Sequence, residues 1–317
     1  MKKILKNTYN KIYFIVTFVT LFLFLITLIY HLTAIKSGNK TFYIANTHTN
    51  HIIDTLQKHD YSVNWLDKIV LSLLPKPKKG WYTLKEESIN RLSLFNTIKQ
   101  SKTKTFNIKV FAGESTVEVC KRLANDLRID EGDTLHEYIN YATYLEADIL
   151  AGSYAIANNA DAQAAILALF HETNEKLSKL LPSNKEEEIN QILTIASIIQ
   201  KETNNPEEMY LVSSVIQNRL KKKMRLQMDG TLNYDEYSSK IVTSSHIKED
   251  NSFYNTYKNS GLPPLPVGTV SVDAIKATLK PKKTPYLYFM LNEEGKHTFS
   301  TNYKSHLKHV KAFKSSQ

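Results

Sequence analysis

An uncharged run near the N-terminus constrains this chain more than any other feature of its sequence. Residues 12–30 carry no charged side chain, and a helix of that length rises about 28 Å, close to the hydrocarbon thickness of a bilayer. Lysines precede the run, and no acidic residue occurs before Asp54. The sequence therefore predicts a cytoplasmic tail over residues 1–11, a transmembrane anchor over 12–32 and the remaining chain outside the membrane. A cleavable signal peptide is the alternative, but residues 32–36 offer no clear small-x-small cleavage site.

Net charge and cysteine content narrow the classes of protein that remain. The chain has 317 residues and a net charge of +10, part of which lies in the predicted tail. No basic stripe is interleaved with aromatic residues, so we expect no nucleic-acid partner. Cys120 is the one cysteine, which excludes an internal disulfide, and its place near Val119 and Leu123 predicts a buried thiol. His171-Glu172 lacks the second histidine of a zinc-protease helix, so we expect neither a metal nor a cofactor.

A carboxylate closes the most regular helical pattern in the chain. Over residues 189–203 the apolar side chains recur at the spacing of a helix. Glu202 falls beside Ile195 and Ile199 on the apolar stripe, whereas Lys201 points to the other side. Burial raises the pKa of a carboxyl, and a glutamic acid that stays protonated near neutral pH can act as a general acid. The alternative is a solvated residue at a helix end.

The residues after this helix predict a second helix and then a strand. Asn205-Pro206 supplies an N-cap and a first-turn proline, so a helix should begin there. Residues 224–229 alternate between apolar and polar side chains, which is typical of a strand. The polar face of this strand consists of Arg225, Gln227 and Asp229. That face meets either solvent or the wall of a cleft.

Further elements are predicted in the C-terminal part. Residues 271–279 predict a short helix capped by Ser271. Residues 286–291 form a strongly β-prone run, and residues 297–301 follow a turn that contains Gly295. This arrangement predicts an antiparallel pair of strands.

Seven short strings of sequence occur in a fixed order over roughly residues 189–310. They are Ala196-Ser-Ile-Ile-Gln-Lys-Glu-Thr203, Asn218-Arg-Leu220, Met224-Arg-Leu-Gln-Met-Asp229, Tyr254-Asn-Thr-Tyr257, Gly261-Leu-Pro-Pro264, Tyr286-Leu-Tyr-Phe289 and His297-Thr-Phe299. In this order they resemble the catalytic domain of the MltG-type (YceG-like) endolytic murein transglycosylases. The resemblance implies that Glu202 corresponds to the catalytic glutamate of that family.

The chain departs from the usual pattern of the family at several places. Gln200 stands where a second glutamate is usual, so the acid role falls on Glu202 alone. Gly230 replaces a usual proline. Residues 266–270 and the pair Ser305-His306 also differ, and these changes bear on the substrate groove more than on the acid.

The activity that the resemblance implies needs only one carboxylate. A lytic transglycosylase cuts the bond from N-acetylmuramic acid to N-acetylglucosamine in peptidoglycan without water. The C6 hydroxyl of the muramyl sugar closes on C1 and leaves a 1,6-anhydro end. Glu202 would protonate the leaving oxygen and then deprotonate that hydroxyl. Ordinary glycosidases need a flanking pair of carboxylates.

Polar and aromatic side chains in the same strings are candidates for the substrate groove. They are Arg225, Gln227, Asp229, Asn255, Tyr257, Tyr288 and His297. Two alternative functions remain open. One is a muramidase that uses water, with Asp229 assisting Glu202. The other is a non-catalytic, membrane-anchored protein that binds peptidoglycan.

Residues 41–183 contain two similar stretches. Each is predicted to run strand–helix–strand–helix, and each carries a Gly-x-Tyr mark, at Gly80-Trp-Tyr82 and at Gly152-Ser-Tyr154. This predicts a duplicated α/β region. The second stretch opens with Val110-Phe-Ala-Gly-Glu-Ser-Thr116 and resembles the LysM-like module of MltG-type enzymes. That resemblance implies either glycan binding or a spacer between the bilayer and the active site.

Together these predictions give an α+β fold. It has a single N-terminal transmembrane helix, a LysM-like α/β middle region, and a catalytic domain of helices and antiparallel sheet over residues 186–317. The family resemblance implies peptidoglycan glycan strands as the substrate. It also implies peptidoglycan synthases or penicillin-binding proteins as partners at the bacterial plasma membrane.

Overall fold

The chain forms two compact units. The computed structural model describes residues 2–35, 41–84, 89–100, 103–182, 185–234, 238 and 240–316. The first unit comprises Met1–Thr105 with Ala157–Ala160, and the second comprises Phe106–Ile156 with Asp161–Gln317. The division falls between the two similar stretches, whereas the sequence placed a domain boundary near residues 183–186. The second stretch therefore shares a unit with the C-terminal helices.

A long apolar helix, α1 (Lys2–Leu32), opens the chain. Within the described ranges, its part Tyr9–Leu32 is the one stretch long and apolar enough to cross a membrane. Thr17, Thr20 and Thr27 each donate the side-chain hydroxyl to a carbonyl one turn back, at 2.8–2.9 Å. These bonds satisfy the polar side chains within the helix itself, as an apolar environment requires.

Beyond α1, the described residues of the first unit form three helices and two small sheets. The elements are β1 (Ala34–Ile35), β2 (Thr41–Ile44), α2 (Thr49–Lys58), α3 (Trp65–Leu73), β3 (Gly80–Thr83), β4 (Ile89–Asn90) and α4 (Arg91–Gln100). β2 pairs antiparallel with β3, and β1 pairs antiparallel with β4. Phe42, Ile52, Leu56, Tyr82 and Leu94 belong to the core of this unit.

The second stretch repeats the order β2–α2–α3–β3–α4 of the first unit. It consists of β5 (Thr105–Val110), α5 (Thr116–Leu127), α6 (Glu131–Tyr141), β6 (Gly152–Ala157) and α7 (Ala162–Leu180), with β5 beside β6 in one sheet. Both stretches contain the order strand–helix–helix–strand–helix, one helix more than the sequence predicted, and the first also has β4 before its last helix. The capping box of Ser115 and Glu118 starts α5. Cys120 on this helix is buried as predicted, and burial raises the pKa of its thiol to about 12.

Helices dominate the C-terminal part of the second unit. The elements are α8 (Glu186–Glu202), α9 (Pro206–Lys221), α10 (Ser244–Glu249), α11 (Val272–Leu279), β7 (Tyr288–Leu291), β8 (His297–Ser300) and α12 (Tyr303–Ser316). α8, α9 and α11 pack on one another around an apolar core. β7 and β8 pair antiparallel, so the predicted hairpin is confirmed. The Asn205 side chain accepts a hydrogen bond from the Glu207 N–H at 3.0 Å, which confirms the predicted N-cap.

The prediction of a strand over residues 224–229 is wrong. Leu226 and Met228 are buried while Arg225, Gln227 and Asp229 are exposed, so the alternation of burial is as predicted. The backbone, however, forms no strand, and Gln227 has a φ of +48°. A side chain in this left-handed region interrupts an extended ladder. A short 3-10 helix (Asp229–Leu232) follows directly.

Candidate active site

Glu202 is the last residue of α8, and its carboxyl lies against protein rather than in open solvent. Burial raises the pKa of this carboxyl to about 7, and the nearby charge of Asp229 adds to the rise. The Gly230 N–H, which donates to Glu202 Oε1 at 3.3 Å, and the Arg219 guanidinium oppose it. A carboxyl with such a pKa is protonated in a large fraction of molecules at neutral pH, as a general acid requires.

The second carboxylate of the site, Asp229, is engaged by a tyrosine. The Tyr257 hydroxyl donates to Asp229 Oδ1 at 2.6 Å. Burial raises the pKa of Tyr257 well above its ordinary value, and the bond to Asp229 adds to the rise because it stabilises the protonated phenol. Tyr257 is therefore a hydrogen-bond donor at any physiological pH, and it holds Asp229 as an acceptor beside Glu202.

A buried cation, Arg219, lies near Glu202. Arg219 is on the inner side of α9 and donates from Nε to the Leu287 carbonyl at 2.6 Å and from Nη1 to the Leu226 carbonyl at 2.5 Å. These bonds tie α9 to the segment before β7 and to the segment that leads to Asp229. Arg219 belongs to the sequence string Asn218-Arg-Leu220, but the sequence alone predicted no role for it. Its position could have indicated a role, because Arg219 follows Ile216 by three residues on the apolar face of α9. A buried arginine there destabilises the fold unless its guanidinium is hydrogen-bonded.

Residues 224–229 lie beside residues 255–257 and present their polar side chains on one exposed side. The Gln227 N–H donates to the Thr256 carbonyl at 3.2 Å, and Arg225 Nη1 donates to the Tyr257 carbonyl at 3.1 Å. Arg225, Gln227 and Asp229 are exposed. The two segments together therefore form a polar surface that ends at Glu202.

Asn255 has a different place from the one the sequence predicted. It is 0% exposed, and its amide donates to the carbonyls of Ile247 and Asp250 at 2.9 and 2.8 Å. Its Oδ1 accepts from the Tyr257 N–H at 3.1 Å. These bonds occupy the amide, so Asn255 shapes the loop that carries Tyr257 and has no free group for a sugar.

His297 pairs with an acidic residue of α9. Its Nδ1 lies 2.7 Å from Glu208 Oε2, and its backbone N–H donates to Glu208 Oε1 at 3.0 Å. Burial alone would raise the pKa of Glu208, but the hydrogen bonds from His297 outweigh it and lower that pKa. Thr203, next to Glu202, donates its hydroxyl to the same carboxylate at 3.2 Å. The Glu208 carboxylate therefore joins His297 of β8 to Thr203, the residue that follows α8.

Tyr288 has protein groups around its ring. The Arg219 guanidinium lies 5.2 Å from the ring centroid, and the His306 ring stacks at 5.4 Å with an interplanar angle of 24°. Burial lowers the pKa of His306, and the positive charge of Arg219 adds to that effect. The Tyr288 ring thus supports Arg219, and only part of it is open to a ligand.

Lys201 lies on the side of α8 away from the apolar stripe, but its amine is enclosed. Its Nζ donates to the Ser238 carbonyl at 3.3 Å and hydroxyl at 2.8 Å, and burial lowers the pKa of the amine to about 8. Its Cβ also faces Gly230. A Cβ built on Gly230 would lie 2.6 Å from Lys201 Cβ and 3.2 Å from Glu202 Oε1. Only glycine fits between these two side chains.

A segment after the proline-rich loop connects the second stretch to α8. Thr269 exchanges backbone hydrogen bonds with the turn before α5: the Gly113 N–H donates to the Thr269 carbonyl at 2.9 Å, and the Thr269 N–H donates to the Glu114 carbonyl at 2.7 Å. On its other side, the Ser271 N–H donates to Gln200 Oε1 at 3.3 Å. Gln200 thus uses its amide to hold this segment, two residues before Glu202.

The described residues offer no obvious place for a metal. No group of three or more histidine, cysteine, aspartate or glutamate side chains among them is arranged to hold an ion.

Fold and site together define an α+β protein in which one helix presents a single, partly buried acid to a polar surface. The model of the YceG-like family matches residues 42–312, and the chain belongs to that family. The resemblance predicted from the sequence is confirmed.

Relatives with known names agree with this assignment. An endolytic murein transglycosylase of Bacillus subtilis is 35% identical over 154 residues, which cover 48% of this chain and 43% of that protein. An endolytic murein transglycosylase of Streptococcus pneumoniae is 31% identical over 176 residues, covering 52% of this chain and 32% of that protein. The match thus spans less than half the length of these relatives.

A solved structure shares the fold. A YceG-like protein of Listeria monocytogenes superposes with a TM-score of 0.56 and 24% identity, covering 84% of this chain and 98% of that one. The mixed arrangement of helices and small sheets is therefore found in a second protein of the family.

Proposed function

We propose that this protein is an endolytic lytic transglycosylase of peptidoglycan in which Glu202 acts first as the general acid and then as the base. The observation that carries the proposal is the environment of Glu202. Its carboxyl has a pKa of about 7, and the neighbouring Asp229 is held by Tyr257. The names of the relatives support the choice of substrate.

The proposed reaction begins with the protonated form of Glu202. The carboxyl gives its proton to the glycosidic oxygen as the bond from that oxygen to C1 of the muramyl sugar breaks. The C6 hydroxyl of the same sugar then attacks C1, and the Glu202 carboxylate takes its proton. The acid is thereby regenerated, and the products are a free hydroxyl on the leaving sugar and a 1,6-anhydro end. Because the nucleophile belongs to the substrate, no second carboxylate has to activate water.

The polar surface beside Glu202 is the proposed substrate groove. Arg225, Gln227 and Asp229 would bind sugar hydroxyls, N-acetyl groups or the peptide stem. Tyr257 and Tyr288 would contribute a donor and part of a ring face. His297 and Asn255 would act through the elements that they hold, because their polar groups already have protein partners.

The location and organisation of the protein form part of the proposal. The apolar helix α1 would anchor the chain in the plasma membrane, with its lysine-rich start in the cytoplasm and both units outside. The second stretch would be a LysM-like module that holds or spaces the glycan strand before the catalytic part at residues 186–317. Peptidoglycan synthases are the proposed partners, because they produce the nascent strand.

Analysis of the end groups of the product tests the function. Purified peptidoglycan incubated with the full-length protein should yield muropeptides with 1,6-anhydro ends, measured by mass spectrometry. Reducing ends would contradict the proposal and indicate hydrolysis by water. Binding of strands without any cleavage would indicate the non-catalytic alternative.

A change at Asp229 separates the proposed reaction from the muramidase alternative. That alternative has support, because the charge of Asp229 reaches Glu202 and helps to raise its pKa. We expect Asp229→Asn to keep the anhydro product and to lower kcat/KM by about tenfold, the loss of one charge-assisted hydrogen bond to substrate. If Asp229 activated water, this variant would instead lose nearly all cleavage.

The pH dependence of the reaction follows from the raised pKa of Glu202. The free enzyme must carry the proton on Glu202 before it binds substrate, and this proton is lost as the pH rises through about 7. We therefore expect kcat/KM to fall on the alkaline side with an apparent pKa near that value. A profile that stays flat up to pH 9 would rule out Glu202 as the acid.

A further inference from the structure

Helix α3 of the first unit carries an apolar stripe on its outer side. Trp65, Ile69 and Leu73 are 68%, 51% and 81% exposed. They are spaced four residues apart, so they lie on one side of the helix. The opposite side, with Asp67 and Leu71, is buried in the unit. A contiguous row of three large, exposed apolar side chains is typical of a surface that contacts a partner or a membrane.

The start of α3 is fixed at the end of the apolar helix α1. The Asn64 amide, at the N-cap of α3, donates to the Tyr30 hydroxyl at 2.6 Å, and that hydroxyl donates to Asp67 Oδ2 at 3.1 Å. The Arg91 guanidinium lies 4.2 Å from the Tyr30 ring centroid and 3.2 Å from Asp67 Oδ1. Tyr30 is in the last turn of α1. If α1 crosses a bilayer, α3 therefore begins at the depth of the lipid headgroups.

The charged residues around this apolar stripe are also those expected at a lipid headgroup surface. Lys68 is exposed beside Trp65, and Lys76, Lys78 and Lys79 are exposed in the connection from α3 to β3. The acidic residue of α3, Asp67, is fully buried and ion-paired with Arg91. Tryptophan prefers the boundary between headgroups and acyl chains, and lysines near an anionic surface are attracted to its phosphates.

We infer that the outer side of α3 is a membrane-contacting surface, in which Trp65, Ile69 and Leu73 enter the headgroup boundary of the same bilayer that holds α1. The neighbouring lysines contact anionic headgroups. The first unit is then attached at two places, the anchor and α3, which fixes its orientation against the membrane. This inference needs the anchor but not the transglycosylase activity.

Tryptophan fluorescence can test the inference because the chain has only two tryptophans. The second, Trp81, is 4% exposed and packs in the core against Tyr43. The full-length Trp81→Phe protein, reconstituted into vesicles of phosphatidylcholine and phosphatidylglycerol, reports Trp65 alone. We expect blue-shifted emission, weak quenching by iodide, and strong quenching by lipids brominated near the headgroup. Lipids brominated near the chain end should quench less.

Other outcomes would overturn the inference. Red-shifted emission with strong iodide quenching would place Trp65 in water. Blue-shifted emission without quenching by bromolipid would mean that protein, such as a second copy, covers the stripe. Failure of the full-length chain to float with the vesicles would remove the anchor and the inference with it.

Matched variants separate this result from folding and from catalysis. Trp65→Phe leaves Trp81, whose emission should be insensitive to bromolipid. Adding Ile69→Glu and Leu73→Glu to the Trp81→Phe protein should reduce bromolipid quenching while flotation through α1 and the thermal transition persist. Glu202→Gln should leave the quenching of Trp65 unchanged, so a failure of the proposed chemistry would be recognised separately.

Discussion

Glu202→Gln is expected to eliminate nearly all formation of 1,6-anhydro ends. The amide keeps the shape of the side chain and can still accept from the Gly230 N–H, but it has no proton to give and cannot take one. General acid–base catalysis contributes about 10²–10⁴-fold per group, and here one group serves both steps, so a rate loss of at least about 10³-fold is expected. The measurement is the rate of muropeptide release with mass-spectrometric assignment of the ends.

The stability of the same variant supplies the control. The pKa of Glu202 rises from 4.5 to about 7 on folding, so the folded wild type holds a proton that the unfolded chain has lost between these values. Wild-type stability from this group is therefore complete below about pH 4.5 and declines as the pH rises through 7. Glu202→Gln lacks this decline, so its melting temperature relative to wild type should increase from pH 5 to pH 8. An inactive variant that unfolds at lower temperature at pH 8 would mean that folding, not chemistry, was lost.

Gly230→Ala is expected to lower the rate by about 10²-fold, because displacement of a catalytic group by about 1 Å has a cost of that order. The new Cβ would lie 2.6 Å from Lys201 Cβ, which is fixed to the helix backbone and cannot turn away. The loop must therefore move, and with it the N–H that donates to Glu202. Steady-state kinetics on a defined glycan strand should show the loss mainly in kcat, and the pH at which activity declines should rise because this N–H lowers the pKa of Glu202.

Gly152→Ala is the matched control for this change. It makes the same substitution in the same unit, but the nearest atoms to the added Cβ are 3.7 Å away, an ordinary contact distance. Its kinetics should resemble those of the wild type. If Gly230→Ala were equally harmless, the close approach of the loop to Glu202 would have no catalytic role.

Local rules were enough to predict the helix that carries the acid and the helix after it. The apolar spacing of residues 189–203 and the cap at Asn205 depend on neighbours within a few positions, so the sequence alone contains the information. The hairpin of β7 and β8 was also predictable from neighbouring residues, because a β-prone run, a turn and a second strand follow one another directly. The burial of the Glu202 carboxyl was predictable because Glu202 lies beside Ile195 and Ile199 on the apolar side of the helix, and both isoleucines are buried.

Contacts between distant parts of the chain were not predictable in this way. Residues 224–229 have strand-like alternation, but they bond to residues 255–257, and the left-handed Gln227 serves that contact. The pairing of Tyr257 with Asp229 depends on the same tertiary arrangement. The polar amide of Asn255 is of a type that often binds ligands. Only the structure shows that this amide is buried and already hydrogen-bonded to backbone carbonyls.

The segment around Thr269 lies between the turn before α5 and helix α8 and is hydrogen-bonded to both. This position restricts which changes of sequence the second unit can accept. Gly268 has a φ of +153°, and a Cβ there would lie 2.9 Å from the Glu114 carbonyl oxygen. The turn before α5 thus leaves no room for an added Cβ at Gly268, and Gln200 of α8 holds the same segment from its other side. Lengthening the loop or exchanging the second stretch for a foreign module would shift the helix end at Glu202. We therefore expect a change in one part to require a matching change in the other.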